Sequence, residues 1–248
     1  MKSTLIKQNT PFMKPSFQDE ENSFMTLSKD MAFRKIYLTE NKSTWLTIEW
    51  LSDGLFNYVE NHYQELFDLH PESRGKVILY DEEIQSSRWH RSYLKTPVRN
   101  PNNTKSSYMY SGADFYDDVS FPRQLQPFLD FLNESQDNDS FNQVIANWYA
   151  NGNDYIAAHS DCRVDMKPEA EIAIIILCAN EKDARELQFI SKNLKDTKKN
   201  AIYKKLNIQT ANGCIIKMCG DTQLKFRHKV PKAPHVSGSR ISLTFRKF

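Results

Sequence analysis

The chain has 248 residues, 40% of them hydrophobic, and a formal net charge of +2, which suits one large domain with a sizeable core. It has no run of 18 apolar residues, and its first residues lack the apolar stretch of a signal peptide, so we expect a monomeric intracellular protein, cytoplasmic or nuclear, that is neither membrane-bound nor secreted. Four cysteines without CxxC spacing argue against a disulfide scaffold and structural zinc.

Residues 1–44 mix Ser, Asn, Lys and Glu with scattered Phe and Met, and we predict an N-terminal arm that is flexible or partly ordered. Residues 45–248 are predicted to form the folded domain. Its first strand is WLTIEW, from Trp45. Asp53 is the expected N-cap of a helix that runs to about Leu69, and a second strand is expected at Lys76–Tyr80.

The region 81–118 is rich in Ser, Asn and Pro, which predicts a long functional loop. A second helix is expected near Pro127, since proline is tolerated at the first helical position. Residues 45–140 would thus carry helices and substrate-side loops. From Phe141 onwards short β-prone runs follow one another: FNQVIANWY, YIAAH, EIAIIIL, ELQFI, GCIIKM and RISLTF. This order predicts a mostly β, α+β protein whose residues 141–248 form a barrel or double-sheet core with flanking helices.

Charge is distributed unevenly along the chain. Residues 191–248 contain 14 Lys or Arg but only two acidic residues, Asp196 and Asp221. Such an asymmetry is typical of chains that bind a polyanion such as nucleic acid. The lysines at 195, 198 and 199 would then contact the sugar-phosphate backbone. A solvated lysine-rich face explains the composition equally well.

The stretch IAAHSDCRVD places His159 and Asp161 two residues apart, so both side chains project to the same side near a strand end. His228, in KFRHKVPK, is the best placed third ligand. Two histidines and one carboxylate on one face form the facial triad of non-heme Fe(II) oxygenases. By itself HxD is weak evidence, because such a pair more often caps a loop.

The last strand, SGSRISLTFRKF, alternates polar and apolar residues. One face carries Arg240, Ser242, Thr244 and Arg246, and the other carries Ile241, Leu243 and Phe245. If the polar face lines a barrel, the two arginines require an anion, and a dicarboxylate cosubstrate would satisfy them. If that face points outwards, the arginines are simply solvated.

Together these motifs resemble the AlkB family of iron- and 2-oxoglutarate-dependent dioxygenases. The similarity covers roughly residues 45–248 and includes FNQVIANWYANGNDYIAAHSD, the loop YMYSG at Tyr108–Gly112, His228 and RISLTFR. The segment SRWH is similar to the one that precedes this loop in the duplex-repair branch. The resemblance implies a double-stranded β-helix, or jelly-roll, core.

The resemblance also implies the cofactors and the residues that hold them. His159, Asp161 and His228 would bind Fe(II). Four residues would bind 2-oxoglutarate: Arg240 with Tyr149 at the distal carboxylate, and Asn147 with Arg246 near the end that chelates the metal. With O2 as the other cosubstrate, the reaction implied is oxidation of an N-methyl group, which leaves as formaldehyde.

The implied substrate is an N-alkylated base in DNA or RNA, displaced from its stack. Tyr110 is matched to an aromatic of the family's loop and would form a wall opposite His159, with Ser111 beside it. Arg163 stands where the family usually has an acidic residue that recognises an amino group, so Asp165 or Glu186 would take over that role, or the preferred base differs.

Two further departures concern the cosubstrate strand and the duplex. Ser242 replaces an Asn that is common in the family's R-x-N-x-T-F-R pattern. The segment before Arg88 reads Gln85, Ser86 and Ser87, where the duplex-repair branch has an apolar wedge, which predicts a preference for single strands. The alternatives are an oxygenase acting on a protein or small molecule, or an inert nucleic-acid-binding module.

Overall fold

A computed structural model describes residues 22–29, 33–79, 82–95, 108–110, 113–115, 120–134, 141–161, 166, 171–192 and 201–247. Two sheets dominate. The large sheet contains, in spatial order, β2 (Arg34–Tyr37), β3 (Thr44–Trp50), β14 (Cys214–Gly220), β11 (Ile172–Cys178), β16 (Arg240–Arg246), β9 (Gln143–Tyr149) and β6 (Trp89–Leu94). The small sheet contains β1 (Asn22–Thr26), β13 (Lys205–Gln209), β12 (Glu186–Ser191), β15 (Phe226–Val230) and β10 (Ile156–His159).

The two sheets face each other and form a jelly-roll core, as predicted. Side chains from both sheets, among them Ile174 of β11 and Phe189 of β12, meet in one apolar cluster between them. The other face of the large sheet packs on the helices, through a second cluster that includes Trp148 and Leu243. β11 is buried at every position because both of its faces are covered, which explains its unbroken apolar run IAIIILC.

The helices cover the large sheet on the side away from the small one. α1 (Asp53–Phe67) buries Leu55, Val59 and Leu66, while α2 (Gln126–Asn133) has its proline in the first turn. The predicted N-cap was wrong by one residue, since the Ser52 Oγ accepts the hydrogen bond from the Leu55 amide. A one-turn helix, α3 (Thr222–Lys225), connects β14 to β15, and short 3-10 helices lie at Arg123–Leu125 and Glu181–Asp183.

Parts of the predicted arm and loop belong to the sheets. β1 pairs in parallel with β13, and β2 pairs with β3. Within 81–118, β6 is the edge strand of the large sheet beside β9. β5 (Glu82–Gln85) pairs antiparallel with the preceding β4 (Lys76–Leu79), and β7 (Tyr108–Tyr110) pairs antiparallel with β8 (Ala113–Phe115). Residues 1–21 lie outside the described part, so the prediction for that portion of the arm stays a prediction. Among the described residues no helix is long and apolar enough to span a bilayer.

Candidate metal centre and pocket

Two strands of the small sheet bring the predicted metal ligands together. β10 and β15 are antiparallel, and His159 lies directly opposite His228, with ring centroids 4.3 Å apart. Asp161 follows two residues after His159, and its Oδ1 lies 3.5 Å from His159 Nε2 and 4.0 Å from His228 Nε2. One ligand atom from each residue falls within 4.8 Å of the others, so the three can share one metal ion.

The protonation states suit a metal. Burial, and after it the nearby His159, lower the pKa of His228 to about 3, so the His228 ring is neutral at physiological pH. Burial alone would raise the pKa of Asp161, but the Arg246 guanidinium, 2.8 Å from Oδ1, and the neighbouring histidines hold this pKa well below its usual value. The second carboxylate oxygen, Oδ2, is buried without a hydrogen-bond partner among the described residues. A neutral imidazole and an ionised carboxylate are the forms that coordinate a metal.

Short contacts fix the backbone on either side of the HxD motif. The Asp161 amide donates to Gln223 Oε1 of α3 at 2.9 Å, and the Ser160 hydroxyl donates to the Phe226 carbonyl at 3.0 Å. Ahead of β10, Gly152 lies so close to the segment after β15 that a Cβ there would stand 1.7 Å from the Ala233 carbonyl oxygen. Close packing at this position therefore requires a glycine.

Arg185, which the sequence did not single out, joins the two ligand-bearing strands at their other end. Its guanidinium donates to the carbonyls of Asn151 and Asp154, before β10, and of Pro231, after β15. The side chain is almost fully buried, and burial lowers its pKa to about 10, so it remains charged. Arg74 secures the same turn through a bidentate ion pair with Asp154, at 2.6 and 2.9 Å.

A cavity lies between the sheets next to the metal ligands. Its large-sheet wall is polar, because β9 and β16 pair with Arg240 opposite Tyr149 and Ser242 opposite Asn147. Asn147, Tyr149, Ser242 and Arg246 line the cavity, whereas Ile241, Leu243 and Phe245 pack on the helix side. The alternation read from RISLTFR therefore corresponds to a lumen face and a core face.

The Arg240 side chain is 1% exposed, and its three guanidinium nitrogens have no hydrogen-bond partner among the described residues. It lies over the Tyr149 ring, 5.1 Å from the centroid. An unpaired buried cation is costly, and a carboxylate matches the guanidinium fork with two parallel hydrogen bonds. The site thus fits one end of a dicarboxylate.

Besides β9 and β16, β6 also lines the cavity with polar side chains, and this strand was not assigned to the site from the sequence. Arg88, His90 and Ser92 alternate along β6 and the residue before it, and all three face the lumen. Arg88 Nε donates to Asn147 Oδ1 at 2.7 Å, which fixes the orientation of that amide. Burial and the Arg88 charge lower the pKa of His90 to about 3, so this ring is neutral. The alternation R-x-H-x-S was the available signal, but its polar face resembled a solvated loop.

Comparison with known proteins decides the family. The model of the 2OG-Fe(II) oxygenase superfamily matches residues 48–246. The chain belongs to this superfamily. Two similar proteins are DNA oxidative demethylases ALKBH2, from Arabidopsis thaliana, 28% identical over 160 residues, and from Mus musculus, 29% identical over 108 residues. These matches cover 57% and 44% of this chain, and 49% and 44% of the relatives, so the chain spans about half the length of the curated relatives it matches.

These relatives confirm the predicted resemblance to the AlkB family. A structural comparison finds an oxidoreductase of the 2OG-Fe(II) oxygenase family from Burkholderia pseudomallei, with a TM-score of 0.46 and 12% identity, covering 80% of this chain and 85% of that one. As a 2OG-Fe(II) oxygenase the protein is a dioxygenase whose cofactors are Fe(II) and 2-oxoglutarate, and His159, Asp161 and His228 form the group that can hold the iron.

Several predicted substrate residues cannot be placed. Ser111, Arg163, Lys195, Lys198 and Lys199 lie outside the described residues, as does Asp165, and for Tyr110 only the backbone of β7 is described. Glu186 does not take the place of the missing acid in the pocket, because it lies on the outer side of β12 and accepts a hydrogen bond from Gln188 at 2.5 Å. His235 is exposed and lies outside the metal group.

Proposed function

We propose that the protein is an oxidative demethylase of N-alkylated bases in nucleic acid. The observation that carries this proposal is the group of His159, Asp161 and His228 at the wall of a cavity that Tyr149 also lines, with the unpaired Arg240 lying over the Tyr149 ring. The named activity of the relatives, DNA oxidative demethylation, supplies the reaction class.

The residues have distinct roles in this proposal. His159, Asp161 and His228 hold Fe(II). Arg240, lying over Tyr149, binds the distal carboxylate of 2-oxoglutarate, while Asn147, oriented by Arg88, and Arg246 bind nearer the metal. When bound, iron, 2-oxoglutarate and O2 supply the oxidation: one oxygen atom enters succinate, CO2 is released, and the other oxygen hydroxylates the N-methyl group, which leaves as formaldehyde.

No side chain needs to act as nucleophile or general base. The chain instead orients the reactants and limits water. The neutral His90 and the hydroxyl of Ser92, on the β6 wall, offer hydrogen-bonding groups without adding charge to the cavity. Tyr110, the last residue of β7, Ser111, which follows it in the sequence, and Arg163, after the HxD motif, are proposed to contact the flipped base.

Single strands are the proposed preferred substrates. The segment that would have to enter a duplex, Gln85 to Ser87, offers no apolar side chain. Ser86 is buried, with its hydroxyl 3.3 Å from His90 Nδ1, and the Ser87 hydroxyl donates to the Tyr155 carbonyl at 2.5 Å. Both serines are thus anchored inwards, towards the barrel.

The test is release of succinate and formaldehyde from methylated and unmethylated DNA and RNA oligonucleotides of one sequence. We expect both products, in equal amounts, only with a methylated strand, and neither product from the His228→Ala variant. Succinate that forms at the same rate with and without every methylated oligonucleotide, with no formaldehyde, would show that the substrate is not an N-methylated base.

A further inference from the structure

The outer face of the small sheet carries a band of cations. Side chains alternate along β15, so Arg227 and Lys229 point away from the cavity that His228 lines. In the sheet register, Ile190 of β12 lies between Arg227 and Lys205 of β13, so all three share the outer face. Arg227 is exposed, and Lys205 and Lys229 are partly exposed.

These cations are not neutralised within the described structure. Lys205, Arg227 and Lys229 form no ion pair or hydrogen bond with described residues. Lys192, the next cation along β12, has a pKa that is lowered by burial and then by the charge of Arg227, so the two positive charges lie close together. Like charges held side by side repel each other, and a polyanion relieves this repulsion.

The adjacent row of the same face carries an exposed aromatic side chain that is suited to stacking on a base. Phe24 of β1 pairs with Asn207, which pairs with Gln188, which pairs with Lys229. Phe24 is 48% exposed, unusually so for its type. Cations interleaved with an aromatic side chain are characteristic of single-strand binding surfaces.

We propose that this outer face, defined by Phe24, Lys205, Arg227 and Lys229, binds the flank of a single-stranded nucleic acid whose modified base enters the cavity. The cations contact phosphates, and Phe24 stacks on a base. This inference rests on the proposed function and adds to it a surface for the substrate outside the pocket.

The order of strands in the small sheet indicates how the nucleic acid would cross this outer face towards the metal group. β10 is the edge strand beside β15, and its exposed Ala157 and Ala158 allow a strand to pass closely on the way to His159 at its end. From β1 to β10 there are four strand spacings, which is about 19 Å at roughly 4.8 Å each. A single strand that crosses this distance contributes a flank of several nucleotides.

The experiment measures binding of a fluorescein-labelled, unmethylated 20-nucleotide DNA strand to the full chain across about 50 to 200 mM salt. The Arg227→Gln, Lys229→Gln double variant should bind about tenfold more weakly at low salt, and its log–log salt slope should be less steep by about 1 to 1.5, because each phosphate contact on a single strand contributes about 0.7. Phe24→Ser should weaken binding about five- to tenfold and leave the slope unchanged. The matched control is Lys35→Gln with Lys42→Gln, which removes the same charge from the β2–β3 hairpin of the large sheet.

The dependence of affinity on oligonucleotide length distinguishes binding at the outer face from binding in the pocket. Wild-type affinity should rise as the strand is extended from about four to ten nucleotides, and the double variant should lose most of that rise. An unchanged salt slope, or a loss no larger than in the Lys35, Lys42 control, would overturn the proposal. Because this assay requires no turnover, absence of formaldehyde from every methylated substrate would refute the demethylase function and still leave the binding result to decide the surface.

Discussion

Arg246 Nη2 lies 2.8 Å from Asp161 Oδ1, and both side chains are almost completely buried, at 2% and 4% exposure. This ion pair connects β16, the last strand of the chain and an inner strand of the large sheet, with the metal group of the small sheet. Asp161 therefore has a positive partner before any metal binds, and the metal adds a second one. The pair holds the carboxylate ionised and in place, so the ligand group is organised in the absence of the ion.

Replacing Arg246 by Met should destabilise the metal-free protein by about 3–5 kcal/mol, since removal of one partner of a buried pair leaves the other charge uncompensated. The loss should be smaller with Mn(II) bound, because the ion then compensates Asp161. Urea unfolding with and without Mn(II) measures both values. Arg227→Met, on the surface, should change stability by no more than about 0.5 kcal/mol. Equal losses in the two forms of Arg246→Met would contradict this electrostatic role.

The metal group itself is tested by single replacements. His159→Ala or His228→Ala should abolish turnover of 2-oxoglutarate and weaken Mn(II) binding at least about tenfold, because each removes one of three protein ligands. His235→Ala is the control and should behave as wild type, since His235 is exposed and lies outside the group. Equilibrium dialysis of Mn(II) gives a readout that is independent of catalysis. A variant of His235 that loses the metal while His228→Ala retains it would refute the ligand assignment.

Arg240 should determine affinity for 2-oxoglutarate. Arg240→Lys keeps the positive charge but not the bidentate fork, and a hydrogen bond to a charged group contributes about 1.5–3 kcal/mol, so we expect about 10- to 100-fold weaker binding. Arg240→Ala should bind more weakly still. Isothermal titration of 2-oxoglutarate into the Mn(II)-loaded protein measures the effect, with the exposed Arg123→Ala as control. Unaltered affinity in Arg240→Ala would mean that the cosubstrate binds elsewhere in the cavity.

Much of the core was predictable because its patterns are strong. The alternation in RISLTFR and the unbroken run in IAIIILC identify strands, and the two faces of β16 in the structure match the polar and apolar residues of its sequence. The HxD motif with His228 gave the complete metal group, because the family's motif names the residue types that the chemistry needs.

The parts that escaped prediction are those where the usual patterns fail. β6 carries polar side chains on its lumen face, so it resembled a solvated loop. β1 and β2 are short edge strands whose pairing depends on partners far along the chain, which local periodicity does not reveal. Arg185 acts through backbone carbonyls of distant segments, and a contact with a carbonyl leaves no signature in residue types.

The lysines between β12 and β13 provide a second test of nucleic-acid binding. Neutralising Lys195, Lys198 and Lys199 to Gln should weaken binding about equally across sequences and make the salt slope less steep by about 2, if all three contact phosphates of a single strand. Fluorescence anisotropy with two unrelated 20-nucleotide strands measures both effects. A triple variant with the wild-type slope would leave these lysines as a solvated loop, and a loss confined to one of the two strands would indicate base recognition instead.

The strand preference gives the last prediction. Taking a base out of a duplex costs a few kcal/mol, which a side chain that fills the vacated space partly offsets. Gln85 to Ser87 offer no such side chain, so we expect demethylation of single strands at least about tenfold faster than of duplexes, since about 1.4 kcal/mol corresponds to a factor of ten.

The Ser86 side chain is buried against His90, so a Phe inserted there would disturb the cavity and cannot serve as an added wedge. The assay compares one methylated base in single-stranded and fully paired oligonucleotides of the same sequence. Equal or faster reaction on the duplex would refute the preference.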